Sequence, residues 1–291
     1  MKIINNPIIL HINYFEQGQS LEYICRRAVS LGCDGIEFRR SRGIDGETPE
    51  SYLDSLKEYS EAYGLKYLLF GGPGVNVMTD DKNIRQSEID AYKRFLELAD
   101  KRLTLTVINF MTGWLSKPGA VSWEYETYGS FCAEEWHWEY AVSACREIAD
   151  FAPHVKYAFE THMGYLHDLS GTAKKLCDMI DRSNFGINLD YGNTVYFAPS
   201  VILSLEESID ECGDKLFYTH MKNSVPGSPR RAPTSLSGGD INHRAYIQKL
   251  RSTGFGGFIG IEAPRPGDRE WFAAEDLAYL KSIIAICADT Q

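Results

Sequence analysis

The chain has no run of about 18 apolar residues, so no part of it is predicted to span a membrane. It has no C-x-x-C pair. Its seven cysteines, at 25, 33, 132, 145, 177, 212 and 287, are odd in number, and several fall on apolar helix faces. They read as small buried thiols in a reducing compartment, not as a disulfide or zinc framework. It has no basic excess either. Thirty Lys and Arg against forty Asp and Glu give a formal net charge of −10. Non-specific nucleic-acid binding needs a basic footprint, so that class is set aside. No G-x-G-x-x-G follows the first predicted strand and no G-x-x-x-x-G-K-[ST] occurs, which removes the two commonest nucleotide signatures. The opening MKIINNPIILHINYF has one Lys and an apolar segment broken by His11 and Asn13, a poor signal peptide, so the expected compartment is the cytoplasm.

What remains is ordinary globular material. The 291 residues are 44% hydrophobic and 24% charged, too apolar for a disordered chain. Short apolar runs alternate with helix-period segments throughout. Strands are predicted at 7–14, 36–38, 65–70, 103–110, 155–160, 185–190, 216–221 and 257–262. Helices are predicted at about 21–31, 51–63, 89–99, 133–152, 171–180, 203–212, 243–253 and 273–287. Eight strands, each followed by a helix, is the count of a (β/α)8 TIM barrel, with a doubly wound open sheet as the competitor. No linker or composition shift divides the chain, so a single barrel domain over 1–291 is expected.

Two long insertions follow predicted strands. Residues 111–133 carry Trp114, Trp123, Tyr125, Tyr128 and Phe131. Residues 223–242 are polar, with Pro226, Pro229, Arg230, Arg231, Pro233 and Gly238-Gly239. Both lie on the strand-to-helix side, where barrel enzymes build their sites. Such loops serve as lids or binding loops. The aromatic one equally suits a subunit contact, which leaves room for a homo-oligomer.

The chemistry gathers where strands five to eight end. VKYAFETHMG ends in Glu160 and His162, FGINLDYGN in Asp190 and Asn193, LFYTHMKN in His220 and Lys222, and GFIGIEAPR in Glu262 and Arg265. A lone acidic residue at a strand end is more often a helix cap or a surface charge. Four ionisable residues at matching ends of neighbouring barrel strands argue for a site. Three carboxylates in one pocket repel unless a cation sits between them. Three oxygen donors and one imidazole suit Mn²⁺ or Mg²⁺ and admit Co²⁺ or Zn²⁺. A divalent ion among these side chains resolves the repulsion. Lys222 either meets an oxyanion or points to solvent. His11 and Glu37, at the ends of strands one and two, are placed on the pocket floor in a structural role.

The same runs carry a family resemblance. FETH with Gly164, GINLDYGN, HMK and GIE, together with GCDGIE at 32–37, resemble the strand motifs of the xylose isomerase-like TIM barrels, a group of sugar and sugar-phosphate isomerases and epimerases. The likeness is clearest over residues 155–263. It implies a single-metal site with Glu160, Asp190, His220 and Glu262 as ligands, Mn²⁺ being the first choice of ion. It also implies proton transfer by Glu160 and Glu262 on opposite sides of a substrate carbon beside a carbonyl. The chain departs from many relatives in having Asn193 where they carry His, and Pro226 where the 3-epimerases carry Arg. Asn193 then reads as a group that orients substrate, Arg230, Arg231 or Arg265 as a replacement for the missing Arg, and His162 as a further group on the substrate side. The implied activity is a metal-dependent isomerase or epimerase of a keto-sugar or related polyol. The alternatives are a lyase or dehydratase resembling inosose dehydratases or 3-keto-glycoside-cleaving enzymes, and a sugar-binding barrel without turnover. The endonuclease branch of the group is disfavoured by Asn193 and by the acidic charge. The expected partner is a small sugar, not nucleic acid or membrane.

Overall fold

The structure is a computed structural model and describes residues 6–72, 74–120, 124–197, 202–228, 230–262 and 265–289. Eight strands run parallel and close into a barrel: β1 (Ile8–His11), β2 (Gly35–Arg39), β3 (Tyr67–Gly71), β4 (Val107–Phe110), β5 (Lys156–Glu160), β6 (Phe185–Asp190), β7 (Leu216–Met221) and β10 (Phe258–Ile261). β10 pairs with both β1 and β7, which closes the ring. The (β/α)8 expectation stands, and the open sheet is excluded. A hairpin of β8 (Asn223–Val225) and β9 (Ala232–Thr234) lies outside the ring. The helices are α1 (Leu21–Leu31), α2 (Pro49–Tyr63), α3 (Lys82–Asp100), α4 (Glu135–Phe151), α5 (Ser170–Ile180), α6 (Tyr191–Phe197), α7 (Leu205–Cys212), α8 (His243–Ser252) and α9 (Arg269–Asp289). Among the described residues no helix is long and apolar enough to cross a membrane.

Strand alternation decides what faces the barrel axis. Ile9, Leu69, Val107, Ala158 and Tyr218 form their own buried cluster, an apolar plug inside the ring. Two positions further along the same strands stand His11, Gly71, Asn109, Glu160 and His220. Glu37 lies level with His11 and Leu69 in the pairing, and Asp190 lies level with His220. The polar residues therefore occupy one inward layer just above the plug, at the end of the barrel where TIM barrels carry their sites. The much larger apolar cluster packs between the outside of the ring and the helices.

Several elements differ from the sequence expectation. Strand one stops at His11 instead of running to 14; His11 Nδ1 accepts from Asn13 N at 3.2 Å, and Ile12–Phe15 form one 3-10 turn. Strand four begins at Val107, not 103. Helix α3 starts at Lys82, well before 89. Asp81 Oδ1 caps it by accepting from Asn83 N at 2.8 Å and Ile84 N at 3.3 Å. Its first two turns are mostly polar, so they gave no hydrophobic period. Helix α6 was not expected, because it starts on the residue after β6 with no turn signal between them. The 223–242 insertion is a hairpin and a tight turn. Buried Asn223 holds it by donating to Leu236 O and Ile241 O, at 2.9 and 3.0 Å, and accepting from Ile241 N at 3.0 Å.

The aromatic insertion folds onto the loop after β5. Leu115 N donates to Gly164 O at 2.7 Å, and Ser130 N donates to Asp168 Oδ2 at 2.9 Å. Trp114 meets Tyr128 and Tyr165 edge-on, with centroids 5.5 and 5.8 Å apart. Trp123 and Pro229 lie outside the described residues.

Candidate metal centre

The four strand ends converge. Glu160, Asp190, His220 and Glu262 each offer a ligand atom, and these atoms all lie within 4.8 Å of one another. His220 Nδ1 is 3.0 Å from Glu262 Oε2, 3.7 Å from Asp190 Oδ2 and 3.9 Å from Glu160 Oε2. It faces all three carboxylates without the in-line geometry of a hydrogen bond. Two buried carboxylates, the half-buried Glu262 and one free imidazole nitrogen, gathered at one point, make a group that could hold a metal ion.

Neighbouring side chains set the carboxylates in place. Asn109 Nδ2 donates to Glu160 Oε2 at 2.6 Å, and Asn193 Nδ2 donates to Glu160 Oε1 at 2.9 Å. Asp190 Oδ1 accepts from Asn193 N at 2.8 Å, which ties the start of α6 to the end of β6. Lys222 Nζ stands 2.7 Å from Asp190 Oδ2 and donates to Asn193 Oδ1 at 3.0 Å and Glu262 Oε2 at 3.2 Å. Lys222 therefore points into the cluster, not into solvent. Asn13 Nδ2 donates to Glu262 Oε1 at 3.3 Å.

The charges answer one another. Burial and then the negative Glu262 push the Glu160 carboxyl up. Burial also works to raise Glu262, but Lys222, His11 and His220 outweigh it and hold that carboxyl well below the usual range. Burial opposes charge on Lys222, yet Asp190, Glu262 and Glu160 raise it above its ordinary value. His220 is likewise raised, with Glu37 and the cluster carboxylates overcoming burial. Lys222, set against Asp190 and Glu262, offsets part of the repulsion among the carboxylates.

Other expected residues stand further out. His162 is half-buried, with Nδ1 2.8 Å from Met163 O and its ring between Tyr165 and Phe197, at centroid distances of 5.6 and 5.7 Å. Arg265 makes its contacts on α9. Its Nη2 donates to Asp276 Oδ2 at 2.9 Å and Glu275 Oε2 at 3.2 Å, and the guanidinium lies over Phe272. Asp276 also accepts from Leu236 N and Tyr14 OH, so Arg265 belongs to a strut that holds the 223–242 segment.

Glu37 stands on the pocket floor as its strand end indicates, whereas nothing in the strand ends pointed to Asn109. Each is a polar residue with an apolar neighbour on either side, in Val-Ile-Asn-Phe and Gly-Ile-Glu-Phe-Arg. For Asn109 the signal was its inward parity, which needs the strand register to be known.

His167, which carried no signal, lies beneath Glu160 with its Nδ1 2.6 Å from Glu160 O. It stacks on Phe159 and Tyr165. Burial pushes its pKa down to about 3, so the folded protein keeps it neutral. The unfolded chain takes up that proton near pH 6.5. Stability is then full above about pH 6.5 and is lost as the pH falls toward 3, with a slope of about 1.4 kcal/mol per pH unit from this residue. Urea unfolding at pH 7, 6 and 5 should show a shallower decline for His167→Gln than for the parent. Equal slopes would remove His167 as the cause.

The sequence matches the model of one family, described as xylose isomerase-like TIM barrel, over residues 25–283. The chain belongs to this family. No curated protein sequence matches it. Solved structures share the fold at low identity. The D-psicose 3-epimerase of Clostridium cellulolyticum H10, solved with D-tagatose, is 18% identical with a TM-score of 0.75, and the match covers 96% of this chain and 99% of that one. A xylose isomerase-like barrel protein from Mycobacterium smegmatis, in complex with magnesium, is 16% identical with a TM-score of 0.72, covering 99% of each chain. The 3-keto-D-glucoside 4-epimerase of E. coli, in apo form, is 16% identical with a TM-score of 0.68, covering 96% of this chain and 100% of that one.

Proposed function

We propose that this member of the xylose isomerase-like family is a divalent-metal-dependent sugar isomerase or epimerase acting beside the carbonyl of a keto-sugar or related polyol. The observation that carries this reading is the convergence of Glu160, Asp190, His220 and Glu262 at one point above the barrel plug. The epimerases among the structural neighbours agree with it.

These donors fit a hard or borderline divalent ion, and the free His220 Nδ1 completes the set. When bound, such an ion supplies Lewis-acid chemistry to a substrate carbonyl and favours negative charge developing on oxygen. Manganese is the first choice, and the magnesium complex of one neighbour is consistent with ions of that kind.

The chain's own residues do the rest. One of Glu160 and Glu262 takes the proton from the carbon beside the carbonyl, and the other returns a proton to that carbon from the opposite side. The electron pair left by the first transfer is held as an enediolate until the second. Lys222 and Asn193, which touch each other and the carboxylates, bind and orient substrate oxygens. His162, whose ring stands beside Tyr165 and Phe197, is read as a further group for the substrate.

The test incubates the Mn²⁺-loaded protein in D2O with a panel of ketohexoses, ketopentoses and 3-keto-glycosides. Deuterium at the carbon beside the carbonyl, with a new epimer or isomer, supports the reading. Loss of water or of an aglycone would make the chain a lyase. No exchange on any panel member by metal-loaded protein would leave a sugar-binding barrel.

A further inference from the structure

We infer that Glu37 is a positioning residue that, from below the metal centre, fixes both the ring orientation of His220 and the carboxylate of Glu160. This rests on the reading of Glu160, Asp190, His220 and Glu262 as metal ligands.

Glu37 is fully buried and sits between the apolar plug and the ligand layer. Its Oε2 accepts from Tyr218 OH at 2.8 Å and lies 2.8 Å from His220 Nε2. Its Oε1 accepts from Asn109 Nδ2 at 3.0 Å, and the same Nδ2 donates to Glu160 Oε2 at 2.6 Å. One carboxylate thus reaches two of the four proposed ligands, one directly and one through a carboxamide.

The direct contact has a chemical consequence. Tyr218 and Asn109 donate to the two oxygens, an arrangement that suits an accepting carboxylate. The hydrogen of His220 is then held on Nε2, and Nδ1 is the nitrogen left for a metal. Nδ1 is also the nitrogen that faces Glu160, Asp190 and Glu262. Orientation and tautomer agree.

The fold keeps room for this carboxylate. A Cβ on Gly71 would overlap Glu37 Oε1, so β3 has no side chain at that point. A buried charge is costly to keep, and an apolar residue here would extend the plug more cheaply. What Glu37 adds is a fixed hydrogen-bond acceptor under His220.

The test uses full-length parent protein, Glu37→Gln and Asn109→Ala, each stripped of metal and titrated with Mn²⁺ against a competing chelator. Glu37→Gln should bind Mn²⁺ about 10–100-fold more weakly than the parent. Asn109→Ala, which cuts only the branch to Glu160, should show a smaller loss. Side-chain ¹⁵N spectra of the Mg²⁺-loaded parent should place the His220 hydrogen on Nε2, and Glu37→Gln should lose that preference. A merely structural role would lower the melting temperature of the stripped protein without moving affinity or tautomer. If both variants bind Mn²⁺ within twofold of a parent that binds it, the inference is overturned. If Glu37→Gln does not fold, unchanged affinity in Asn109→Ala together with a parent His220 hydrogen on Nδ1 overturns it. A parent that binds no divalent ion overturns the metal reading itself, a result seen before any variant is compared.

Discussion

Glu160→Gln and Glu262→Gln should each lower solvent exchange of the substrate hydrogen by at least about a thousandfold, the upper part of the range for losing a positioned acid or base. Glutamine keeps the shape of glutamate but cannot take or return the proton. The fold should survive both changes. Glu160 is buried beside another carboxylate, and both facts push its pKa up. A group raised in this way destabilises the fold once the pH exceeds its unfolded value, because the folded state disfavours its ionised form. At pH 7, replacing it with a neutral amide relieves that strain. Against this, both Glu160 oxygens accept from amide donors, Asn109 and Asn193. Turning the glutamine NH2 toward one of them costs about 1–3 kcal/mol. The two effects oppose each other, so the metal-free Glu160→Gln protein should melt close to the metal-free parent. Glu262→Gln instead takes a negative partner from Lys222 and should be the less stable of the two. Deuterium incorporation followed by NMR, with calorimetry on the same samples, checks both statements. Exchange retained in both variants would refute the acid-base assignment.

The residues in this argument were legible because of where they stand. Strands β6 and β7 begin and end where the hydrophobic runs do, and Asp190 and His220 fall at or near those ends. An ionisable residue that follows an apolar strand stands out in a sequence. The supporting layer does so only in part. Glu37 could be placed on the pocket floor by its strand end, but Asn109 is a single polar residue flanked by apolar ones, and only the barrel register shows that it shares a face with Glu160. Lys222 was undecided in the sequence because its direction depends on β7 continuing one more inward step beyond His220. Arg265 shows the opposite failure. It follows β10 closely, yet its guanidinium is claimed by Asp276, a residue of α9 that no local pattern connects to it. Pairings between distant segments are what a single sequence leaves out, and here they separate a residue in the cluster from one in a strut.

Stripping the protein with a chelator should abolish turnover, and Mn²⁺ should restore both activity and heat resistance. An ion that binds only the folded state stabilises it by about 2.7 kcal/mol at a hundredfold excess over its dissociation constant. For a chain of this size that corresponds to a rise of roughly 5–11 °C in melting temperature, at about 2–4 °C per kcal/mol. Asp190→Asn and His220→Ala each remove a proposed ligand and should show little of this rise and little bound metal by elemental analysis. Full occupancy in both would refute the ligand set. Lys222 gives the argument a sharper edge. Its ammonium already lies against Asp190 and Glu262 and offsets part of the repulsion that a divalent ion would relieve. Removing it with Lys222→Met leaves the carboxylates with less cover in the stripped protein, so that protein should melt below the stripped parent. The metal then has more repulsion to relieve and binds more tightly, so the Mn²⁺-induced rise should exceed the parent's at equal Mn²⁺ concentration. A smaller rise in Lys222→Met would mean that Lys222 helps to hold the ion, and its place in the reading would move from substrate to metal.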